Sequence, residues 1–257
     1  MKYTQGLYPI IEKKAIALDT YSFTLYCPEV ADIAQAGQFV HILPENYGLR
    51  RPISIAGIDP ENGTLRIVFA IRGKGTKALA NMNEGQRMDM IAPLGHGFTL
   101  KPDAEHVVLV GGGIGVPPML PLAKYYGNKA TAISGFRSFR QVILQEDFEQ
   151  FGTQVITCTE DGSAGAVKGF VTAPLEQFLS EGIDAVYACG PLVMLKAVAE
   201  LCIRNKTYCE ISLEERMACG VGACLGCACQ TKDEKGEIHF QHVCKNGPVF
   251  KAEEVLF

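Results

Sequence analysis

Val107-Val-Leu-Val-Gly-Gly-Gly-Ile-Gly115 is an apolar tetrad that runs directly into a cluster of glycines. It is followed by Val116-Pro-Pro118 and by a segment of helical character from Met119 to Tyr126. A continuous apolar run, a tight turn and a helix in that order read as the opening of a βα unit with its strand buried on both faces. Further strand candidates lie at Ala130–Ser134, Gln154–Thr157 and Ala185–Ala188, and helix candidates between them include Thr172–Ser180 and Leu192–Asn205. Alternating strands and helices predict a parallel α/β sheet with helices on both faces, over residues 102–210.

Upstream, the texture differs. Tyr21–Tyr26, Gln38–Leu43 and Thr64–Ile71 are short β-like runs broken by Gly, Pro and Asn, which predicts an antiparallel β-barrel over residues 1–101. Downstream of Ile211 the chain is rich in Cys and Gly, with little that can form a core except around a metal, so residues 211–257 read as a small module. The expected fold class is thus α+β multidomain: a barrel, a parallel α/β domain and a C-terminal metal module.

With 257 residues, 47% of them hydrophobic, the chain is large and apolar enough for two compact cores. The net charge is -4 and there is no Lys/Arg run, which argues against nucleic acid or an anionic membrane as partner. Met1-Lys2-Tyr3-Thr4-Gln5 lacks the apolar core of a signal peptide, and no stretch reaches transmembrane length, so a soluble, cytoplasmic protein is expected. In that compartment thiols stay reduced, and a dense group of cysteines points to metal rather than disulfides. Five of the ten cysteines, Cys219, Cys224, Cys227, Cys229 and Cys244, crowd the last part of the chain.

The spacing Cys219-x4-Cys224-x2-Cys227, with Cys244 downstream, is the plant-type pattern of a [2Fe-2S] cluster. Gly220, Gly222 and Gly226 suit a loop that curls around the cluster and aims N–H groups at its sulfurs. A zinc site is the competing reading, but the x4 gap and the lone distant cysteine fit zinc poorly. Cys229 competes with Cys244 as fourth ligand.

Two elements of the barrel segment suit phosphate. In Arg50-Arg51-Pro52-Ile53-Ser54, at the end of a β run, a guanidinium beside a hydroxyl can hold a diphosphate and hydrogen-bond a flavin ring. A surface arginine pair is the plainer reading. In Arg72-Gly73-Lys74-Gly75-Thr76-Lys77, glycine-rich amides leading into a helix from Thr76 to Met82 form an anion nest, or else an ordinary turn with Thr76 as helix cap. Together they favour FAD. In the α/β half, Gly113-Ile-Gly115-Val-Pro-Pro118 allows a pyrophosphate to approach a helix start. The third glycine of the dinucleotide fingerprint is missing and no acidic residue stands out about twenty residues on, so a standard Rossmann NAD site is disfavoured. Cys189-Gly190-Pro191, with Met194 beyond, places a thiol and a flexible backbone at the carboxyl edge of the sheet, although such a cysteine is commonly a small buried hydrophobe. His41, His96, His106, His239 and His242 show neither ligand spacing nor a triad context and read as ordinary histidines.

Taken together, these residues resemble the ferredoxin–NADP reductase superfamily, in which an R-x-x-S motif binds flavin and a glycine-rich turn with a C-G-P loop receives the nicotinamide nucleotide. The stretch Glu214-Glu-Arg-Met-Ala-Cys-Gly-Val-Gly-Ala-Cys-Leu-Gly-Cys227 looks, more narrowly, like the electron-transfer subunits of NAD-linked (class 1B) dihydroorotate dehydrogenases. The resemblance covers essentially the whole chain. It implies FAD on Arg51, Pro52, Ile53 and Ser54, on Val68, Phe69 and Ala70, and on Gly75 and Thr76. It also implies NAD at Gly113, Gly115, Cys189, Gly190 and Pro191, and cluster ligation by Cys219, Cys224, Cys227 and Cys244. Family members often carry Arg where this chain has Ala70, so Arg72 or a backbone contact takes its place. The implied partner is an FMN-containing catalytic subunit in a heterotetramer of two copies of each, working in pyrimidine (UMP) biosynthesis, with no catalytic acid–base residue required from this chain. Relatives with the same halves serve sulfide dehydrogenase, sulfite reductase and ferredoxin–NADP transhydrogenase complexes, which form the alternative.

Overall fold

The computed structural model describes residues 3–257. The chain opens with β1 (Thr4–Ala17), β2 (Thr20–Tyr26), the short helix α1 (Pro28–Ala31), β3 (Phe39–Leu43), β4 (Arg51–Asp59), β5 (Thr64–Ala70), α2 (Lys74–Ala80) and β6 (Arg87–Leu94). The six strands close into an antiparallel barrel in the order β1-β2-β5-β4-β3-β6. Alternation explains the closure: Phe23 and Leu25, Val40 and Ile42, Leu65 and Ile67, and Met88 and Met90 point inward and fill the interior.

There follow β7 (Val107–Gly112), α3 (Leu120–Tyr126), β8 (Ala130–Phe136), α4 (Gln145–Glu149), β9 (Gln154–Thr159), β10 (Val167–Lys168), α5 (Thr172–Glu181), β11 (Ala185–Cys189), α6 (Leu192–Arg204) and β12 (Tyr208–Ser212). The last part adds the hairpin β13 (Ala228–Lys232) and β14 (Ile238–His242), then β15 (Val249–Lys251). The sheet order is β10-β9-β8-β7-β11-β12-β15, parallel throughout except for β15, which runs antiparallel to β12 at the edge. Because β7 lies in the middle, all six of its residues are buried. Val107 and Leu109 face a core with α3 and α4, while Val108 and Val110 face one with α5 and α6. The fold class is the one expected, with helices on both faces.

Three sequence expectations need correction. The Arg51–Ser54 motif begins a strand instead of ending one, because Pro44, Asn46 and Gly48 break the chain after β3 and pairing resumes only at Arg51. Helix α2 starts two residues earlier than Thr76, and Thr76 sits in its first turn, where its hydroxyl accepts hydrogen bonds from the N–H groups of Arg72 (2.8 Å) and Gly73 (3.2 Å). Finally, the residues after Ile211 do form a core beyond the cysteines: Val243, Phe250, Ala252 and Val255 are buried with Val110, Ala188 and Ile211 of the sheet. Val249 and Phe250 are therefore sheet core.

The barrel is fixed to the sheet by polar contacts at its exit. The Tyr187 hydroxyl, inside the α/β core, donates to the Thr99 carbonyl (2.7 Å) and meets the Tyr126 hydroxyl (2.9 Å). The buried Glu210 carboxylate accepts from the Thr99 N–H (2.8 Å) and from the Tyr208 hydroxyl (2.7 Å). Among the described residues no helix is long and apolar enough to cross a membrane.

Phe250 joins the C-terminal strand to this core, and its ring also packs against Gly247. Phe250→Ala is expected to cost about 3–5 kcal/mol, as large-to-small core changes do. The loss reads out as a lower denaturant midpoint in equilibrium unfolding, and an unchanged midpoint would show that the last segment packs independently.

Candidate functional site

A cavity of about 420 Å³ opens between the barrel, the α/β half and the segment that follows β12. Pro52, Ile53 and Ser54 of β4 and Val68, Phe69 and Ala70 of β5 form one wall, with Arg72 and Thr76 at its end. Ile114, from the glycine-rich turn, closes it from the α/β side, and Ser212 to Met217 cover it from the third side. Strand pairing dictates the first wall, since β4 and β5 are neighbours in the barrel. An apolar slot with a few hydroxyls and a guanidinium suits a planar ring attached to phosphates.

The two adjacent arginines part company. Arg50 pairs with Asp89 (2.8 Å) and donates to the carbonyls of His41 (3.2 Å) and Asp89 (3.3 Å), bracing β3 against β6. Arg51 instead turns towards α2: a Cβ built on Gly75 would lie 2.5 Å from its Nε and 2.8 Å from its Cζ. Only a residue without a side chain lets the guanidinium sit against the helix start, so Arg51, Gly75 and Thr76 form one anion-suited group. The surface-pair reading fails for Arg50, which is a strut.

The glycine-rich turn and the Cys189 loop also converge. β7 and β11 are parallel neighbours with Gly111 level with Cys189, and β12 places Ser212 on the other side of Cys189. A Cβ on Gly115 would collide with the Cys189 carbonyl, and one on Gly190 would lie 3.1 Å from the Gly112 backbone. Gly113, Gly115, Cys189, Gly190 and Pro191 thus meet at the carboxyl edge of the sheet, where ligands of open α/β folds bind. Burial and the nearby Glu214 carboxylate push the Cys189 thiol up to about 12, against a lowering contribution from Ser212. The thiol is therefore neutral at physiological pH.

The sequence reading passed over Ser212, Glu214 and Met217 as cavity residues. Desolvation raises the Glu214 carboxyl above its ordinary value, the positive charge of Arg72 opposes the shift, and both residues line the cavity. Glu214 belongs to a stretch already notable for its cysteines, but nothing local in the sequence brings it to β4 and β5.

The cysteine loop begins two residues after Met217. Gly220 (φ 74°) and Gly222 (φ 82°) take left-handed conformations, as the curl of the loop demands. Gly226 does not; Leu225 (φ 60°) adopts that conformation in its place. The N–H groups of Val221 (3.5 Å) and Ala223 (3.3 Å) point at Cys219 Sγ, and that of Gly222 (3.1 Å) points at Cys244 Sγ. The Cys244 N–H reaches Cys227 Sγ at 3.5 Å. Cys219 also lies within hydrogen-bonding reach of Cys224, and Cys244 of Cys227. Three of the four thiols thus accept from backbone N–H groups, and such donors suit anionic sulfur, which fits an iron–sulfur cluster. Cys229 lies on β13 opposite Gln241 and packs against the core. Burial and Glu215 push its thiol up to about 11.

Two other groups do not join this site. A larger cleft of about 940 Å³ lies along the other seam of barrel and α/β half, crossed by the Arg66–Asp147 ion pair, and contains none of the motif residues. Asp233, Glu237 and His239 come together on the exposed β13–β14 turn, where Asp233 accepts from the N–H groups of Lys235 and Glu237 (2.9 Å each) and so serves the turn.

Burial raises the Cys219 thiol, but the hydrogen bonds from Val221, Cys224 and Ala223 outweigh it and bring it down to about 6. Cys244 goes the other way, to about 12, through burial and Cys227. In metal-free protein, alkylation of Cys219 by iodoacetamide should therefore rise with pH through about 6 and level off, because the thiolate is the nucleophile. Cys244 should stay unlabelled at neutral pH. Peptide mapping by mass spectrometry checks both.

Residues 214–256 match the family model of the iron-sulfur cluster binding domain of dihydroorotate dehydrogenase B. Over its whole length the chain is similar to the dihydroorotate dehydrogenase B (NAD(+)) electron transfer subunit of Caldanaerobacter subterraneus subsp. tengcongensis, at 42% identity over 96% of this chain and 97% of that one. The subunit of the same name from Shouchella clausii is 42% identical over 100% of both chains. Among solved structures, an NADH-dependent reduced ferredoxin-NADP oxidoreductase superposes with a TM-score of 0.84 at 31% identity, covering 97% of this chain and 90% of that one. The ferredoxin reductase of carbazole 1,9a-dioxygenase shares the fold alone, with a TM-score of 0.69 at 19% identity over 80% of this chain and 67% of that one. With full-length relatives at this identity and a cysteine loop of matching design, the chain belongs to the family of dihydroorotate dehydrogenase B (NAD(+)) electron transfer subunits.

Proposed function

We propose that this chain is an electron-transfer subunit that passes electrons from the FMN of a dihydroorotate dehydrogenase catalytic subunit, through a [2Fe-2S] cluster and FAD, to NAD⁺ in pyrimidine (UMP) biosynthesis. The observation that carries this reading is the continuity of the two sites: Met217 lines the cavity and Cys219 follows two residues later. When bound, the cluster supplies one-electron transfer and the flavin exchanges one or two electrons, which connects the two kinds of carrier.

The chain's own residues bind and orient. Cys219, Cys224, Cys227 and Cys244 hold the cluster, with Cys229 left to the hairpin. Arg51, Ser54, Gly75 and Thr76 hold the flavin's phosphates and ring edge, and Pro52, Ile53, Val68, Phe69 and Ala70 form the wall on which the ring lies. Arg72, at the cavity end, supplies the cationic contact that Ala70 cannot. Gly113, Gly115, Cys189, Gly190 and Pro191 receive the nicotinamide nucleotide, with the neutral thiol of Cys189 packing beside it. No acid–base group is required of the chain.

The partner is the FMN-containing catalytic subunit, in a heterotetramer with two copies of each. Leu225, beside the cysteine loop, and Ile238 and Phe240 on the hairpin are exposed apolar side chains suited to that contact. A cytoplasmic setting agrees with ten cysteines that are all free. Service to sulfur-compound or ferredoxin enzymes is not favoured, since curated full-length relatives carry the dihydroorotate name.

Three measurements test the assignment. Anaerobically purified protein mixed with an FMN-containing catalytic subunit should reduce NAD⁺ on addition of dihydroorotate, and neither component alone should. Cys224→Ser should remove the iron and this activity while NADH still bleaches the flavin; activity retained without iron would overturn the electron path. Arg51→Ala removes a charge-assisted contact worth about 1.5–3 kcal/mol, so FAD should bind roughly 10- to 100-fold more weakly in a fluorescence titration.

A further inference from the structure

His41 has no solvent-accessible surface, and neither of its ring nitrogens forms a well-aligned hydrogen bond within the chain, although the backbones of Cys219 and Arg50 lie beside the ring. An imidazole carries at least one N–H in every protonation state, and a buried donor left unpaired is costly. The neighbouring Val40 and Ile42 point into the barrel, so the His41 ring leaves β3 on the outer face together with Phe39, which lines the cavity. Directly opposite His41 on β4 is Pro52, another cavity residue. On its far side the ring meets the cysteine loop, where a Cβ on Gly220 would overlap Nδ1. Gly220 is the residue after Cys219, and its left-handed φ of 74° together with this contact leaves no room for a side chain. Arg50 fixes the strand from behind by donating to the His41 carbonyl (3.2 Å). The imidazole is thus wedged between the cavity wall and the loop that carries the cysteines.

We propose that His41 is a positioning residue for the cysteine loop: its ring N–H serves the sulfur-rich surroundings of Cys219, pinning the loop to the cavity wall and stabilising the reduced form of the cluster. This rests on the cluster and flavin assignment above. It accounts for a buried histidine that the backbones of Cys219 and Arg50 approach without good alignment, and donors near cluster sulfurs raise the potential.

The test uses the full chain, purified anaerobically with its cofactors, in a dye-mediated redox titration followed by electron paramagnetic resonance. His41→Leu should lower the cluster's midpoint potential by the equivalent of a tenfold change in a one-electron equilibrium, about 59 mV, with the flavin potential unchanged. His41→Gln, which keeps an N–H donor, should recover most of that shift. A cluster potential in His41→Leu equal to the wild type overturns the proposal. Where His41→Leu fails to hold its cluster, wild-type protein labelled with ¹⁵N only in histidine decides: pulsed resonance should show a histidine nitrogen coupled to the reduced cluster, and this coupling should vanish in His41→Gln. No coupling, or coupling that survives the substitution, overturns the role of His41. Wild-type protein without iron or visible absorbance would overturn the cluster assignment itself.

Discussion

Phe39 and Leu94 of the barrel, Val110 and Ala188 of the parallel sheet, and Cys227, Val243, Cys244 and Phe250 of the last segment are buried against one another in a single apolar cluster. Two of the thiols suited to metal are thereby part of the same core that seats the barrel on the sheet. Electron transfer between carriers depends on a fixed separation, and dense packing resists the small displacements that a flexible tether would allow. The edge strand β15 reinforces this, because its pairing with β12 returns the chain from the cysteine loop to the sheet that positions the glycine-rich turn.

Around this core the site is assembled by close backbone approach. At Gly75 the missing side chain admits the Arg51 guanidinium, at Gly115 it lets two loops of the sheet edge touch, and at Gly220 it seats the loop on His41. The polar design of the two ends differs in kind. The cavity offers a guanidinium, hydroxyls and helix-start amides to phosphate, whereas the cysteine loop offers backbone N–H groups to sulfur. Both present donors suited to anionic groups and fixed before a ligand arrives, which limits the ordering cost of binding.

The same physics accounts for the neutral thiol at Cys189 and the anionic tendency of Cys219. The first is buried at a strand end near a carboxylate; the second lies near the surface under several N–H donors. Environment separates their chemistry, since the side chains are identical.

The sequence alone determined the elements whose signals are local. The Val107–Gly115 strand and turn, the alternating barrel strands, the Cys219-x4-Cys224-x2-Cys227 spacing and the helices at Thr172 and Leu192 all follow from periodicity, glycine placement and ligand geometry within a few residues. Resemblance then pointed to Arg51–Ser54, Val68–Ala70 and the Cys189 loop, and the fold brings each of these to the edge of one cavity or the turn beside it. What only the tertiary structure decided is which residues separated in sequence share a wall. Arg50 became a strut through Asp89, Val249 and Phe250 became sheet core, Glu214 came to line one cavity with Arg72, and His41 came to lie between Pro52 and Gly220. These contacts join residues tens to nearly two hundred positions apart, and they are set by barrel closure and sheet order, for which short-range patterns carry no signal.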